Sequence, residues 1–213
     1  LFGQSIWSAE KLDTLITDVI VTALLSVGAV FVYALGNIDI STGKQVGLYA
    51  TLMVTLQQQT GSLIWGILLS LAIAIINAAT GELLHIYAII PSVVIMFILS
   101  GLSTIIYSTL GRRSISLYNY DYSIFKEPWL MVAVLAVETL LVAFMFNDTR
   151  LGKYTKAIGA NAVVARQSGA NIIRCKIMAY VVMGVCTVAA SLFQMGYTGS
   201  ASDSTGTGFE LNV

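Results

Sequence analysis

The chain has 213 residues, 57% of them apolar and only 10% charged, and its 11 Lys and Arg balance 11 Asp and Glu. Soluble domains carry about 25% charged residues, so this composition excludes an ordinary soluble domain and points to a membrane protein. Zero net charge argues against a nucleic-acid-binding face. A bilayer core of about 30 Å takes roughly 20 apolar residues in a helix. Val19–Leu35 is an apolar run preceded by Asp13 and Asp18. Val46–Leu56 is shorter and ends in Gln57-Gln58-Gln59, and Ser62–Thr80 is a full span with Asn77 near its end. Ile86–Leu110 contains Pro91, which predicts a tilted or kinked helix. Trp129–Phe146 holds Glu138, and Ile177–Tyr197 completes six expected helices. The chain opens at Leu1 without Met, a basic n-region or a cleavage site and stops at Val213 without a polar tail. This single domain, 1–213, is read as cut at both ends, with an odd number of helices expected before Leu1.

Between the last two spans, residues 147–176 form a basic island. Six of the eleven Lys and Arg fall there (Arg150, Lys153, Lys156, Arg166, Arg174, Lys176) against one acid, Asp148. Basic loops stay in the cytoplasm, which places this loop inside and Arg112–Lys126, the weaker cluster, outside. Tyr107, Tyr118, Tyr120, Tyr122 and Trp129 crowd the outer side as interfacial aromatics do. Counting back, Gly36–Gln45 and Gly81–His85 face inward and Lys11 outward.

Within the basic loop, Asn161 is placed to cap a short helix over Ala162–Gln167, with Gly169 as its stop. Ala162 and Ala165, with Val163 or Val164, make a small apolar face beside Arg166. Such a face suits close docking of a partner, and equally a helix lying among lipid headgroups.

The run from Gly36 to Gly43 joins two apolar segments with almost no hydrophilic linker. Thr42 and Gln45 have capping-box spacing, which predicts that a helix restarts at Gly43. Polar backbone so close to the membrane is tolerated where it is buried in protein or lines a cavity. The plainer reading is a tight loop with Asp39 as a solvated turn residue.

Other residues offer less. Glu138 is an intramembrane charge and hence a candidate ion or proton relay, or a carboxyl bonded to a neighbouring helix. His85 is the only histidine and borders a loop, so neither a zinc site nor a Ser/His/Asp set is in view. Cys175 and Cys186 read as two reduced thiols. No phosphate-binding loop with lysine is present, so energy has to come from a partner, and no cofactor or metal is expected.

Three stretches carry a resemblance. Gly36–Gly43 resembles the Gly-Gly-Ile-Asp-Leu-Ser-Val-Gly motif of permease subunits in ribose-type ABC sugar importers. The run Thr149-Arg150-Leu-Gly-Lys-Tyr, with Ala157-Ile-Gly-Ala-Asn and Ala165-Arg166-Gln-Ser-Gly-Ala-Asn171, is similar to that family's cytoplasmic loop. Gly206–Leu211 is similar to its Gly-x-Gly-Tyr-Glu-Leu stretch. The matches follow the family's order and cover most of the chain; Asn37 and Ala78 stand where the family has glycine.

The resemblance implies an all-α polytopic transmembrane bundle, one of two permease subunits and likened to a homodimer, in a bacterial inner membrane. It implies an ABC ATPase subunit, an extracytoplasmic solute-binding protein and a sugar as partners. Gly159, Ala160, Asn161, Ala162, Ala165, Arg166, Ser168 and Gly169 would form the ATPase-coupling segment. Asn37, Asp39, Ser41 and Asn77 would lie along the translocation path. A permease for a nucleoside or another polar solute, and an ion-coupled carrier using Glu138, are the competing expectations.

Overall fold

The computed structural model describes residues 9–83, 89–117 and 121–213. His85, Tyr118 and Tyr120 lie outside the described residues, and the expected turn at Gly81–His85 is helical as far as Leu83. In chain order the elements are α1 (Ala9–Ala34), α2 (Thr42–Thr60), α3 (Leu63–Leu83), α4 (Ile89–Leu110), β1 (Ser114–Ser116), a 3-10 turn (Ser123–Lys126), α5 (Pro128–Asn147), α6 (Arg150–Ala160), α7 (Ala162–Gln167), α8 (Ile172–Thr198), β2 (Ser200–Ser202) and α9 (Phe209–Asn212).

Among the described residues five helices, α1, α3, α4, α5 and α8, contain stretches long and apolar enough to cross a membrane. The bundle is the expected helical one, but its elements are not equivalent. α1 and α8 pack along each other and α8 also receives α2 and α3. About half of each of their spans is buried, whereas only about a tenth of that of α5 is. Exposed Trp129, Val132, Leu140, Leu141 and Phe144 give α5 a lipid-type surface.

The sixth expected span, Val46–Leu56, lies within α2, which continues through the three glutamines and is central rather than peripheral. Twelve of its 19 residues are buried, among them Gln45, Thr51 and Gln57. Such a helix need not be apolar because protein, not lipid, surrounds it. The Ser191 hydroxyl donates to the Val46 carbonyl at 3.0 Å. Ser191 stands about 10 Å from the Thr198 end of α8 at 1.5 Å per residue, so α2 starts roughly midway along the bundle.

Small residues set the closest approaches. A side chain at Gly28 would strike Cys186, one at Gly184 would strike Ala74, and one at Gly66 would strike the backbone of Met53. The largest buried cluster joins Tyr49, Met53, Leu63, Tyr107, Val188 and Met195 to Ile115 of β1 and Ala201 of β2.

One departure from an all-α chain is the antiparallel ribbon of β1 and β2, in the register Ser114↔Ser202 and Ile115↔Ala201. It ties the loop after α4 to the chain leaving α8.

Candidate functional site

α1 ends where Gly36 turns the chain with φ +75°, a region that costs a β-carbon-bearing residue strain. The next residues climb to the start of α2 and build a compact polar network. Asp39 Oδ1 accepts from the Ser41 N–H at 2.8 Å and the Ser41 hydroxyl at 2.6 Å. Gln45, one turn into α2, donates from Nε2 to Asp39 Oδ2 at 3.2 Å and to Ser41 Oγ at 2.7 Å. The Tyr49 hydroxyl donates to Gln45 Oε1 at 3.3 Å. The capping box expected of Thr42 and Gln45 is not formed. Ser41 is the residue before the helix, and the Thr42 hydroxyl instead donates to the Asp39 carbonyl at 3.1 Å.

Asp39, Ser41, Gln45 and Asn77 line a crevice closed by Ser92 of α4 and Tyr180 of α8. Ala78 forms part of the same wall. Three of the four residues expected along a path (Asp39, Ser41, Asn77) are therefore brought together, and Asn37 is not part of the lining. Asn77 Nδ2 and Asn37 Nδ2 are buried with no hydrogen-bond partner. An unpaired buried donor costs about 1–3 kcal/mol, so both amides favour an incoming acceptor. The crevice has a free volume of about 30 Å³. That is room for water, not for a sugar.

At the other functional end, Asp148 closes α5 and Thr149 caps α6, a helix that sequence reading folded into the loop. α6 buries Gly152, Thr155 and Ile158 and exposes Lys153 and Lys156. Gly152 lies on the Phe146 carbonyl and Gly159 on that of Ala34, so α6 crosses the ends of α5 and α1 at backbone contact. Lys156 Nζ donates to Asn147 Oδ1 at 3.1 Å and stands 4.2 Å from the centre of the Phe146 ring.

α7 follows as expected. Asn161 Oδ1 accepts from the Val163 and Val164 N–H groups at 3.0 and 3.2 Å, and Gly169, with φ +86°, ends the helix. Asn171 then caps α8 by accepting from the Arg174 N–H at 3.0 Å. The expected docking face needs correction. Ala165 is buried in a cluster with Leu35, Ile158, Ala170 and Cys175, so it faces this chain's own core. The outward surface is Ala162, Val163, Val164 and Arg166, with both valines more than half exposed.

A family model for the permease component of the branched-chain amino acid transport system matches residues 11–213. The chain belongs to that family. The galactose/methyl galactoside import permease of Haemophilus influenzae is 25% identical to this permease, over 94% of the chain and 67% of the relative. The ribose import permease of Escherichia coli K12 is 25% identical over 99% of the chain and 69% of the relative. The autoinducer 2 import system permease of an Enterobacter species is 27% identical over 97% and 62%. No solved structure gives a significant match. With five membrane-length helices and this family, the permease is a multi-pass plasma-membrane transport component.

Glu138 of the permease lies on α5 against Cys186 of α8, with Oε1 buried and without a partner. It takes no part in the crevice lining. Sequence reading missed Gln45, Tyr49, Ser92 and Tyr180. Gln45 carried a signal, being a carboxamide one helical turn after Ser41 at the start of the apolar run Val46–Leu56. Ser92 and Tyr180 reach the crevice only through the packing of α4 and α8.

Proposed function

We propose that the permease is one of two membrane subunits of an ATP-driven importer that moves a monosaccharide handed over by an extracytoplasmic binding protein. The observation that carries this reading is that relatives named for galactose, methyl galactoside and ribose import align over nearly the whole chain. Sugars present many hydroxyls, and a path for them needs groups that replace water contacts. Asp39, Ser41 and Asn77 at the crevice supply such donors and acceptors.

In this reading the basic end faces the cytoplasm and lies among headgroup phosphates. Gly159, Ala160, Asn161, Ala162, Ala165, Arg166, Ser168 and Gly169 form the coupling segment, in two roles. Ala162, Val163, Val164 and Arg166 meet the ATPase subunit, while Gly159 and Ala165 fasten the segment to α1 and α8. The permease makes and breaks no bonds; ATP is hydrolysed on the partner. Because the crevice is smaller than a sugar, passage widens it when the ATPases move the coupling segments and the two permease subunits, identical copies of one chain, shift. α1 provides a short route for that motion, since Gly159 touches Ala34, two residues before Gly36.

Reconstitution of the full-length permease with its ATPase and binding protein in liposomes tests the reading. ATP-dependent accumulation of radiolabelled ribose or galactose, insensitive to ionophores, is expected. Accumulation driven by an ion gradient and lost in Glu138→Gln would make the buried Glu138 carboxyl the centre of an ion-coupled carrier instead. Uptake of nucleosides but neither sugar would overturn the solute class alone.

A further inference from the structure

Glu210 belongs to the stretch Gly206–Leu211 and does not line the crevice, yet it presses on the helix that forms one wall of it. After α8 the chain pairs as β2, turns, and returns to the start of α2. There the Thr205 carbonyl lies over Gly47 and Gly206 over Gly43. Lys44 Nζ donates to the Thr207 hydroxyl at 3.3 Å. The Glu210 carboxylate accepts from the Gly208 N–H at 3.1 Å and rests against Gly43, in the space a side chain would occupy. Phe209 and Val213 anchor the segment, packing onto the cluster of Ile20, Val21, Leu24 and Val46. Gly43 and Gly47 are one turn apart and form a bed for this strap. Gln45, two residues from each, points from the opposite side of the same turn into the crevice. An acidic group beside the first turn also matches the positive end of the helix.

We infer that Glu210 is a positioning residue of the transport path. Through Gly43 it holds the first turn of α2 so that Ser41 and Gln45 keep Asp39 in its network. The strap on which it sits continues into β2, so the ribbon at the far end and the crevice wall belong to one connected body. The inference rests on the proposed reading of the crevice as part of the path.

The test uses the full-length permease in nanodiscs, with Cys175→Ser and Cys186→Ser, and Ser92→Cys as a reporter inside the crevice. The probe is a charged methanethiosulfonate reagent. With Glu210 intact the buried reporter reacts slowly. Glu210→Ala is expected to raise its rate by about tenfold or more at unchanged melting temperature, as an open minor state gains population. Glu210→Gln keeps an acceptor for Gly208 and is expected to restore slow labelling. Native-like labelling in Glu210→Ala overturns the inference. If that variant does not yield folded protein, Gly43→Ala, whose β-carbon would meet both the Glu210 carboxylate and the Gly206 carbonyl and so lift the strap from α2, is read by the same criterion. Radiolabelled ribose uptake by the full-length permease with native Ser92, reconstituted with its ATPase and binding protein in liposomes, separates the two proposals. Faster labelling in Glu210→Ala, with no ribose uptake even when Glu210 is intact, leaves the role of Glu210 standing and removes the sugar.

Discussion

Gly159 of α6 sits directly on the backbone carbonyl of Ala34, the last residue of α1. Two residues later the chain turns at Gly36 and enters the Asp39 network. A side chain at position 159 would overlap main chain, not a flexible side chain, so no rotamer change relieves it. Gly159→Ala is therefore expected to lower stability by about 1–3 kcal/mol, the range for overpacking. It should also slow transport without loss of the ATPase. Thermal unfolding together with co-purification checks both halves; a native melting point would refute the contact.

Val163 and Ala165 make opposite predictions although they are two residues apart. Val163→Asp places a charge on an exposed face and should leave yield and folding unchanged while abolishing ATPase co-purification. Ala165→Asp buries a carboxylate beside Leu35 and Ile158 and should cut the yield of folded permease outright. Equal ATPase binding by native and Val163→Asp permease would remove α7 from the docking surface.

Asn161→Ala deletes the acceptor for two N–H groups at the start of α7. Loss of such a cap costs about 1 kcal/mol, and here the cost is local. Hydrogen exchange across residues 162–167 should accelerate while the spans keep their protection. Asn161→Asp retains the acceptor and should exchange like the native helix.

Asp39→Asn turns one accepting oxygen into a donor that faces either Ser41 or Gln45, both already donating. The mispaired group costs about 1–3 kcal/mol. Reconstituted uptake is expected to fall about tenfold or more, since 1.36 kcal/mol corresponds to a factor of ten. Retention of full uptake would show that the network is only a turn.

The spans and α7 were legible because each follows a strong local rule. Apolar runs of membrane length announce helices, and Asn161 and Gly169 bracket α7 with opposite cap chemistries. α6 was not, because Gly152 and Gly159 look like breakers in sequence. In the fold they are contact points at which a side chain would strike Phe146 or Ala34. The crevice was half legible. Asp39 and Ser41 are neighbours in sequence and Asn77 was expected from the resemblance, but Ser92 and Tyr180 come from two other helices whose packing no local pattern records. Ala165 was misplaced for a related reason: a small apolar residue suits a partner's groove and a tight core equally well.

The β1–β2 ribbon bears on the order in which this chain is made. The main-chain groups of Ser114–Ser116 have no ladder partner until α8 has been synthesised and inserted, since their register is with Ser200–Ser202. The loop after α4 therefore waits through the insertion of α5, the synthesis of α6 and α7 and the insertion of α8 with an unpaired edge. Contacts so distant in sequence close slowly, and open edges invite wrong partners in the interval. A ribosome pausing within α8 would leave this loop exposed for longest, and quality-control proteases would meet it there first.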